Sequence, residues 1–458
     1  MGTREWVMEP AGRIVPLAGS VAAPSTLLPP APSRPWAGGE GPAEKSALDA
    51  RPRTTCGPVT EGERLSLLDA LRGFALAGVL LANLNSLTLY EFLSPEQRAA
   101  LPTAGFDHWA RMALVFFVSK KFLTLFSLLF GVGFAVQLMR AEARGGELGP
   151  TYARRLVVLL VLGLAHGTLL YWGDILRFYA VLGFVLLLFR RASSRALLWT
   201  GVALACVGWP LLRAVADPFV GPLLQRLPSR RTASAETFAI FSEGRYLEVV
   251  WRNPVQDLTD VAQFWYLPLF VLGTFLLGFW AGRQRVFHDP HRHRALLRRI
   301  FAGSLLVGVA GNAVGFLDLP AHVPVLGTSI ALAASTSGPV ALGVAYATAF
   351  ALLFLRPAWR RRLEVLAPVG RMALTNYLGQ ALVCVPVFYG FGLGVGPELG
   401  IPGRLATFAL LFGAQIVFSH WWLTRFRFGP AEWVWRSLTY LRLQPMRPGA
   451  APRVAESS

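Results

Sequence analysis

Residues 155–190 read RLVVLLVLGLAHGTLLYWGDILRFYAVLGFVLLLFR. Two apolar runs, 155–172 and 174–190, flank a break at Trp172-Gly173-Asp174. Each run falls in the range of roughly 17–25 residues that lets an α-helix cross the hydrocarbon of a bilayer. Two such runs around a short polar break predict antiparallel neighbours joined by a tight turn. Eight further runs lie at about 65–86, 113–139, 196–216, 264–282, 300–317, 336–355, 372–390 and 404–423. Residues 325–335 are also apolar, and read either as a short re-entrant piece or as an extension of the helix that follows. The expected fold is all-α: a polytopic membrane bundle of about ten transmembrane helices.

Composition agrees. Of 458 residues, 54% are hydrophobic and 15% charged, with a net charge of +18. An average soluble domain carries roughly 25% charged residues. These values exclude an ordinary soluble enzyme and a small secreted domain. The cysteines Cys56, Cys206 and Cys384 are scattered, with neither a disulfide framework nor the spacing of a zinc site. Lysine is confined to Lys45, Lys120 and Lys121, and the dominance of arginine, alanine, glycine and proline suggests a GC-rich bacterial genome.

The positions of the arginines explain the charge. With ten spans, alternate short connections carry 18 arginines on one side and four on the other, the four being Arg98, Arg111, Arg177 and Arg404. The positive-inside rule then puts the arginine-rich loops and both termini in the cytoplasm. Nucleic acid is not needed as a partner to account for the charge; the bilayer is. The chain divides into a disordered Pro/Ala-rich cytoplasmic tail (1–63) and N-terminal membrane helices (64–190). A fifth helix with a long external loop follows (191–263), then C-terminal membrane helices with an interfacial tail (264–447) and a disordered end (448–458).

Polar groups inside spans are expensive and mark function by default. In the first helix Asp69, Arg72 and Asn83 fall on one stripe at 100° per residue, and Asp69 can pair with Arg72 three residues on. That pair either fixes packing near the cytoplasmic surface or serves a ligand. Lys120 and Lys121 lie near the outer end of the second helix, where they either snorkel to headgroups or line a site. Farther along, Gly131 and Gly133 suit close helix contact. His166 lies well inside the third helix, eight residues before Asp174 across the tight turn, with Arg177 just beyond. It is either a packing residue or a base. By topology Asn83, Lys120, Lys121, His166, Asp174 and Arg177 reach one depth on the outer side.

Five segments, LDALRGFALAGVLLAN, KKFLTLFSLLFGVGF, GLAHGTLLYWGDILRFYAVLG, GRMALTNYLGQ and FGPAEWVWRSLTY, together resemble the YeiB-like family of bacterial inner-membrane proteins over about residues 64–447. That resemblance implies a multi-pass protein of the bacterial inner membrane, in a family loosely associated with transport. The pattern Asp69, Arg72, Gly73, Asn83 is also similar to the first helix of heparan-alpha-glucosaminide N-acetyltransferase. This second resemblance implies acetyl-CoA as acyl donor, with an asparagine and a histidine on the far side of the membrane. Asn83 matches the asparagine. The histidine that follows closely in that enzyme is absent here, where Ser94 stands in the region and the next histidine is His108. His166 is the candidate replacement from another helix.

Three functions follow as expectations. The first is an acyltransferase with His166 as base, Asp174 orienting it and Asn83 or a lysine stabilising the oxyanion. In it Arg72, paired with Asp69, and the cytoplasmic arginines hold the donor's phosphates, and Lys120, Lys121 and Arg177 are further candidates for binding the donor. The second is a transporter of a small polar or anionic solute, with the same groups lining its path. The third is a structural or stress-related membrane protein without turnover. Homo-oligomerisation is compatible with all three.

Overall fold

The computed structural model describes residues 6–8, 14–16, 66–143, 149–208, 230–264, 267–316 and 324–447, with short stretches at 211–212, 215–216 and 219. In the unit Met1–Arg53, strands β1 (Trp6–Met8) and β2 (Ile14–Pro16) pair antiparallel. The reading of 1–63 and 448–458 as disordered otherwise lies outside the described residues, as does Cys56. The rest of the described chain is a membrane helical bundle. Its principal helices are α1 (Ser66–Leu87), α2 (Ala104–Phe117), α3 (Lys121–Ala143), α4 (Gly149–Leu169), α5 (Leu176–Leu188), α6 (Ser194–Val202) and α7 (Arg230–Glu243). They continue with α8 (Tyr246–Gln263), α9 (Leu267–Arg283), α10 (Arg294–Val314), α11 (Pro324–Phe354), α12 (Ala373–Phe388), α13 (Ile401–Leu423) and α14 (Pro430–Tyr440).

All ten apolar runs fall on helices, and 325–335 is an extension, since α11 is continuous from Pro324. By length and composition six segments among the described residues can cross a membrane, α1, the α2–α3 stretch, α4, α10, α11 from Ile330, and α13, and α8 with α9 make a seventh if that bent pair is one span. The runs at α5, α6, α9 and α12 give shorter helices. At 1.5 Å rise per residue a helix of their length spans roughly 15–25 Å, short of the roughly 30 Å hydrocarbon layer.

Local signals set several ends. Ser193 Oγ accepts the Ala196 N–H at 3.2 Å and starts α6. Pro402 and Pro430 open α13 and α14 in the first turn, where the missing N–H costs nothing. Helix association in lipid depends on close packing rather than on hydrophobic burial. A Cβ on Gly131 would lie 2.0 Å from the Phe275 carbonyl oxygen, and one on Gly278 2.0 Å from that of Leu128, so α3 and α9 touch backbone to backbone. Gly133, by contrast, has open space where its Cβ would be.

The structure corrects two expectations. The second run is not one helix: Val118–Lys120 separate α2 from α3, and Lys120 sits in the left-handed region at φ 63. The N–H groups of Val118 and Ser119 both return to the Leu114 carbonyl, which ends α2. Apolar composition continues through the break, so hydropathy does not reveal it. Within 191–263 the fifth run begins on α6, and the stretch read as a long external loop contains two helices, α7 and α8. The buried face of α8 carries Asn253 and Gln256 beside Val249, while Leu247, Trp251 and Leu258 are exposed. A helix against water would show the reverse arrangement; polar inward and apolar outward suits lipid.

Candidate functional site

The last turn of α4 and the start of α5 build a buried dyad. His166 Nδ1 lies 2.9 Å from Asp174 Oδ1, and both side chains are almost wholly buried. A carboxylate only accepts, so in the neutral ring Nδ1 carries the proton and Nε2 holds the lone pair. Nε2 is buried and makes no hydrogen bond among the described residues. The second Asp174 oxygen accepts the Arg177 backbone N–H at 3.0 Å, which caps α5 and fixes the carboxylate. The eight-residue spacing thus becomes a contact because the turn folds Asp174 back onto the preceding helix. Rings of Tyr377 and Tyr171 lie 5.2 Å and 6.3 Å from the imidazole.

Helix α8 closes over this turn. Arg177 pairs with Asp257 and bonds the Trp172 carbonyl at 3.3 Å, while Trp172 Nε1 donates to Asp260 at 2.9 Å. Asn253 Nδ2 donates to the Thr168 carbonyl at 3.0 Å. Arg177 is therefore held by an acidic partner 80 residues away, in a segment whose sequence carries no span signal.

A cavity of about 500 Å³ runs beside the dyad. At one end Arg72, Arg140, Arg155, Arg371, Arg427 and Arg436 line it, and toward the other Asn83 and Lys120. Leu76, Phe126, Phe130, Leu159 and Tyr179 form apolar wall between them. On α1 the eleven residues from Arg72 to Asn83 correspond to roughly 16 Å of rise. The basic mouth depends on a backbone approach, because a Cβ on Gly370 would lie 1.8 Å from the Asp69 carbonyl oxygen and one on Gly73 2.2 Å from that of Leu366. Only glycine at both positions lets the Gly370-Arg371 turn sit against α1. His288, also at the mouth, is held below the usual imidazole range, first by burial and then by Arg285 and Arg140. The positive charge there is that of the arginines.

The eight residues singled out in the sequence divide into two groups. Asp69, Arg72, Asn83 and Lys120 line the cavity; His166, Asp174, Lys121 and Arg177 do not. Asp69 and Arg72 pair at 2.8 Å, with the Arg72 side chain 33% exposed toward the mouth. Lys121 is buried and donates to the Val115 carbonyl at 2.7 Å, closing the α2–α3 break rather than facing a ligand. Tyr377 joins the two groups, since it lines the cavity, touches the His166 ring and accepts the Ile175 N–H at 3.3 Å.

Tyr377 and Glu432 were not assigned roles from sequence, although both lie in quoted segments. Glu432 of α14 accepts from the Leu374 and Thr375 N–H groups at 2.7 and 3.1 Å and from the Thr375 hydroxyl at 2.5 Å. It caps α12 and so fixes the helix that carries Tyr377. On α14 Trp435 also packs under the Arg155 guanidinium, 3.9 Å from the ring centre, and donates to the Arg155 carbonyl at 3.0 Å.

The model of a protein family described as of unknown function, DUF418, matches residues 281–442. The chain is 34% identical over 405 residues to the uncharacterized protein YxaH of Bacillus subtilis, covering 85% of this chain and 97% of that one. It is 30% identical over 401 residues to the uncharacterized protein YeiB of Escherichia coli, covering 82% and 96%. An uncharacterized 39.9 kDa protein encoded in the amylase 3′ region of Bacillus acidopullulyticus is 30% identical over 394 residues. No solved structure matches.

Proposed function

The chain belongs to the YeiB-like, DUF418 family of membrane proteins, and from that premise we propose that it is an acyltransferase of the bacterial inner membrane. It passes an acyl group from cytosolic acyl-CoA to a hydroxyl or amine on the other side. The observation that carries this reading is the cavity, whose six-arginine mouth leads along an apolar wall to Asn83 and Lys120. A CoA thioester has that distribution: phosphates at one end and an uncharged acyl group at the other. The arginines would hold the phosphates by charge-assisted hydrogen bonds.

The donor supplies an activated thioester carbonyl. In the reaction the acceptor O–H or N–H loses its proton to His166 Nε2, and its heteroatom bonds the acyl carbon. The C–S bond then breaks, and the CoA sulfur leaves with the proton. Asp174 stabilises the imidazolium, and Asn83 or Lys120 faces the developing oxyanion. Because Tyr377 and not His166 lines the cavity, the Tyr377 ring must yield for Nε2 to reach the acceptor.

Calorimetric titration of the purified protein with acetyl-CoA tests the reading. Saturable micromolar binding is expected; its absence leaves transport as the better account of the same polar lining. Arg72→Ala is expected to fold, because the Asp69–Arg72 pair is partly exposed and such pairs contribute about 1 kcal/mol or less. It should bind acetyl-CoA roughly 10- to 100-fold more weakly, as expected for losing a hydrogen bond to a charged group. Wild-type affinity in that variant would remove Arg72 from the donor site.

The reading also commits to both termini in the cytoplasm and to ten crossings, in which the shorter helices α5, α6, α9 and α12 complete their passage with flanking residues; the 18-to-4 arginine division supports it. Reporters fused after Ser458 and within 283–299 should read cytoplasmic, and one near Ser234 extracytoplasmic. An outside signal at either of the first two sites overturns this topology.

A further inference from the structure

A second cavity, about 280 Å³, adjoins the first and shares Ala82 and Val118 with it. Three arginines line it: Arg98, Arg111 of α2 and Arg404 of α13. These are three of the four arginines that the topology assigns to the sparsely charged side. Arginine there is disfavoured, so convergence of three on one cavity calls for a physical reason.

Arg404 is the centre of the arrangement. Its residue is 4% exposed, its Nη1 donates to Asn85 Oδ1 at 2.9 Å, and its guanidinium lies 3.8 Å from the centre of the Tyr90 ring. Its Nε and Nη2 are buried and make no hydrogen bond among the described residues. A buried guanidinium with unmet donors is costly unless an acceptor satisfies it. Glu91 is the carboxylate that lines the cavity, and Arg98 bonds the Glu91 backbone carbonyl at 2.8 Å. Asp107 accepts the Ile401 N–H at 2.9 Å and does not line the cavity, but its buried carboxylate lies near enough to act on Arg404. With Glu91 set against Arg98 and Asp107 against Arg404, the cavity retains the charge of Arg111 and the two unmet donors of Arg404. The stacked, forked geometry of Arg404 suits a planar or tetrahedral oxyanion.

We propose that this cavity binds an oxyanion, a phosphate or carboxylate, and that the group belongs to the acceptor of acyl transfer. The second half rests on the acyltransferase reading. The adjoining walls place such an acceptor beside Asn83 and Lys120, at the end of the donor cavity away from its arginine mouth. The acceptor is then an anionic solute or an anionic lipid headgroup rather than a neutral sugar or alcohol.

The test uses full-length protein in phosphatidylcholine nanodiscs, titrated calorimetrically with glycerol 3-phosphate and, as the uncharged control, glycerol. A second arm measures by native mass spectrometry whether phosphatidylglycerol survives delipidation. Saturable glycerol 3-phosphate binding that inorganic phosphate displaces identifies a soluble source; selective retention of phosphatidylglycerol identifies a lipid. In either case Arg404→Gln should weaken the interaction at least about tenfold, the loss expected for a charge-assisted bond, with acetyl-CoA affinity unchanged. Arg111 is exposed, so Arg111→Gln carries the same expectation if the Arg404 variant does not fold. Absence of both interactions in the wild type, or wild-type behaviour in the folded variants, overturns the site. A wild type that binds the oxyanion but not acetyl-CoA upholds the site and defeats the acyltransferase reading alone.

Discussion

Gly133→Leu should yield a folded protein that binds acetyl-CoA on the order of 100-fold more weakly than wild type, or not measurably. The position lines the main cavity, and a Cβ there meets no atom within 4 Å. A leucine can therefore enter the cavity without displacing a packed neighbour, and the volume it takes is volume the ligand needs. Gly131 provides the contrast. Two residues away, and roughly 200° around the helix, a side chain would strike the Phe275 carbonyl oxygen and force α3 from α9. Gly131→Leu should thus lose folded protein, while Gly133→Leu keeps its elution profile and melting temperature and loses only binding. Undiminished acetyl-CoA affinity in Gly133→Leu would show that the donor binds elsewhere.

His166→Gln has the other large expected effect. Glutamine keeps much of the size and hydrogen-bonding capacity of the imidazole but cannot take a proton near neutral pH. The buried contact to Asp174 at 2.9 Å can be kept by the amide N–H, so insertion and folding should survive. If Nε2 is the base, acetyl-CoA binding stays near wild type and turnover falls by roughly 10²- to 10⁴-fold. If the dyad only packs α4 against α5, transfer in the variant remains within a few-fold. Near-normal transfer by well-folded His166→Gln would exclude His166 and, with it, the base that the acyltransferase reading requires.

How much of this was legible in the sequence depended on whether the information was local. The stripe of Asp69, Arg72 and Asn83 follows from helical periodicity, and all three line the cavity. The His166–Asp174 contact follows from two apolar runs around a short polar break. Lys120 and Lys121 were not separable, because adjacent residues differ by 100° in a helix and differ further at a break; one lines the cavity and the other bonds a carbonyl. Long-range partners were not legible at all. Nothing in the sequence near Arg177 indicates Asp257, and α8 hides its polar face behind an apolar exterior, so hydropathy over 246–263 matches neither a span nor a solvent helix. Tyr377 and Glu432 sat in recognised segments, but their meeting with α4 and α12 is a product of the tertiary fold.

The Glu432 cap has a consequence for biosynthesis. Helix α14 leaves the ribosome after every other described helix, yet it contributes Glu432, Trp435 and Arg436 to the cavity mouth and ties down the first turn of α12. The helices inserted earlier therefore wait with an uncapped α12 and an incomplete basic mouth until α14 has been made. A chain that stops before α14 lacks both this cap and three of the residues that line the mouth.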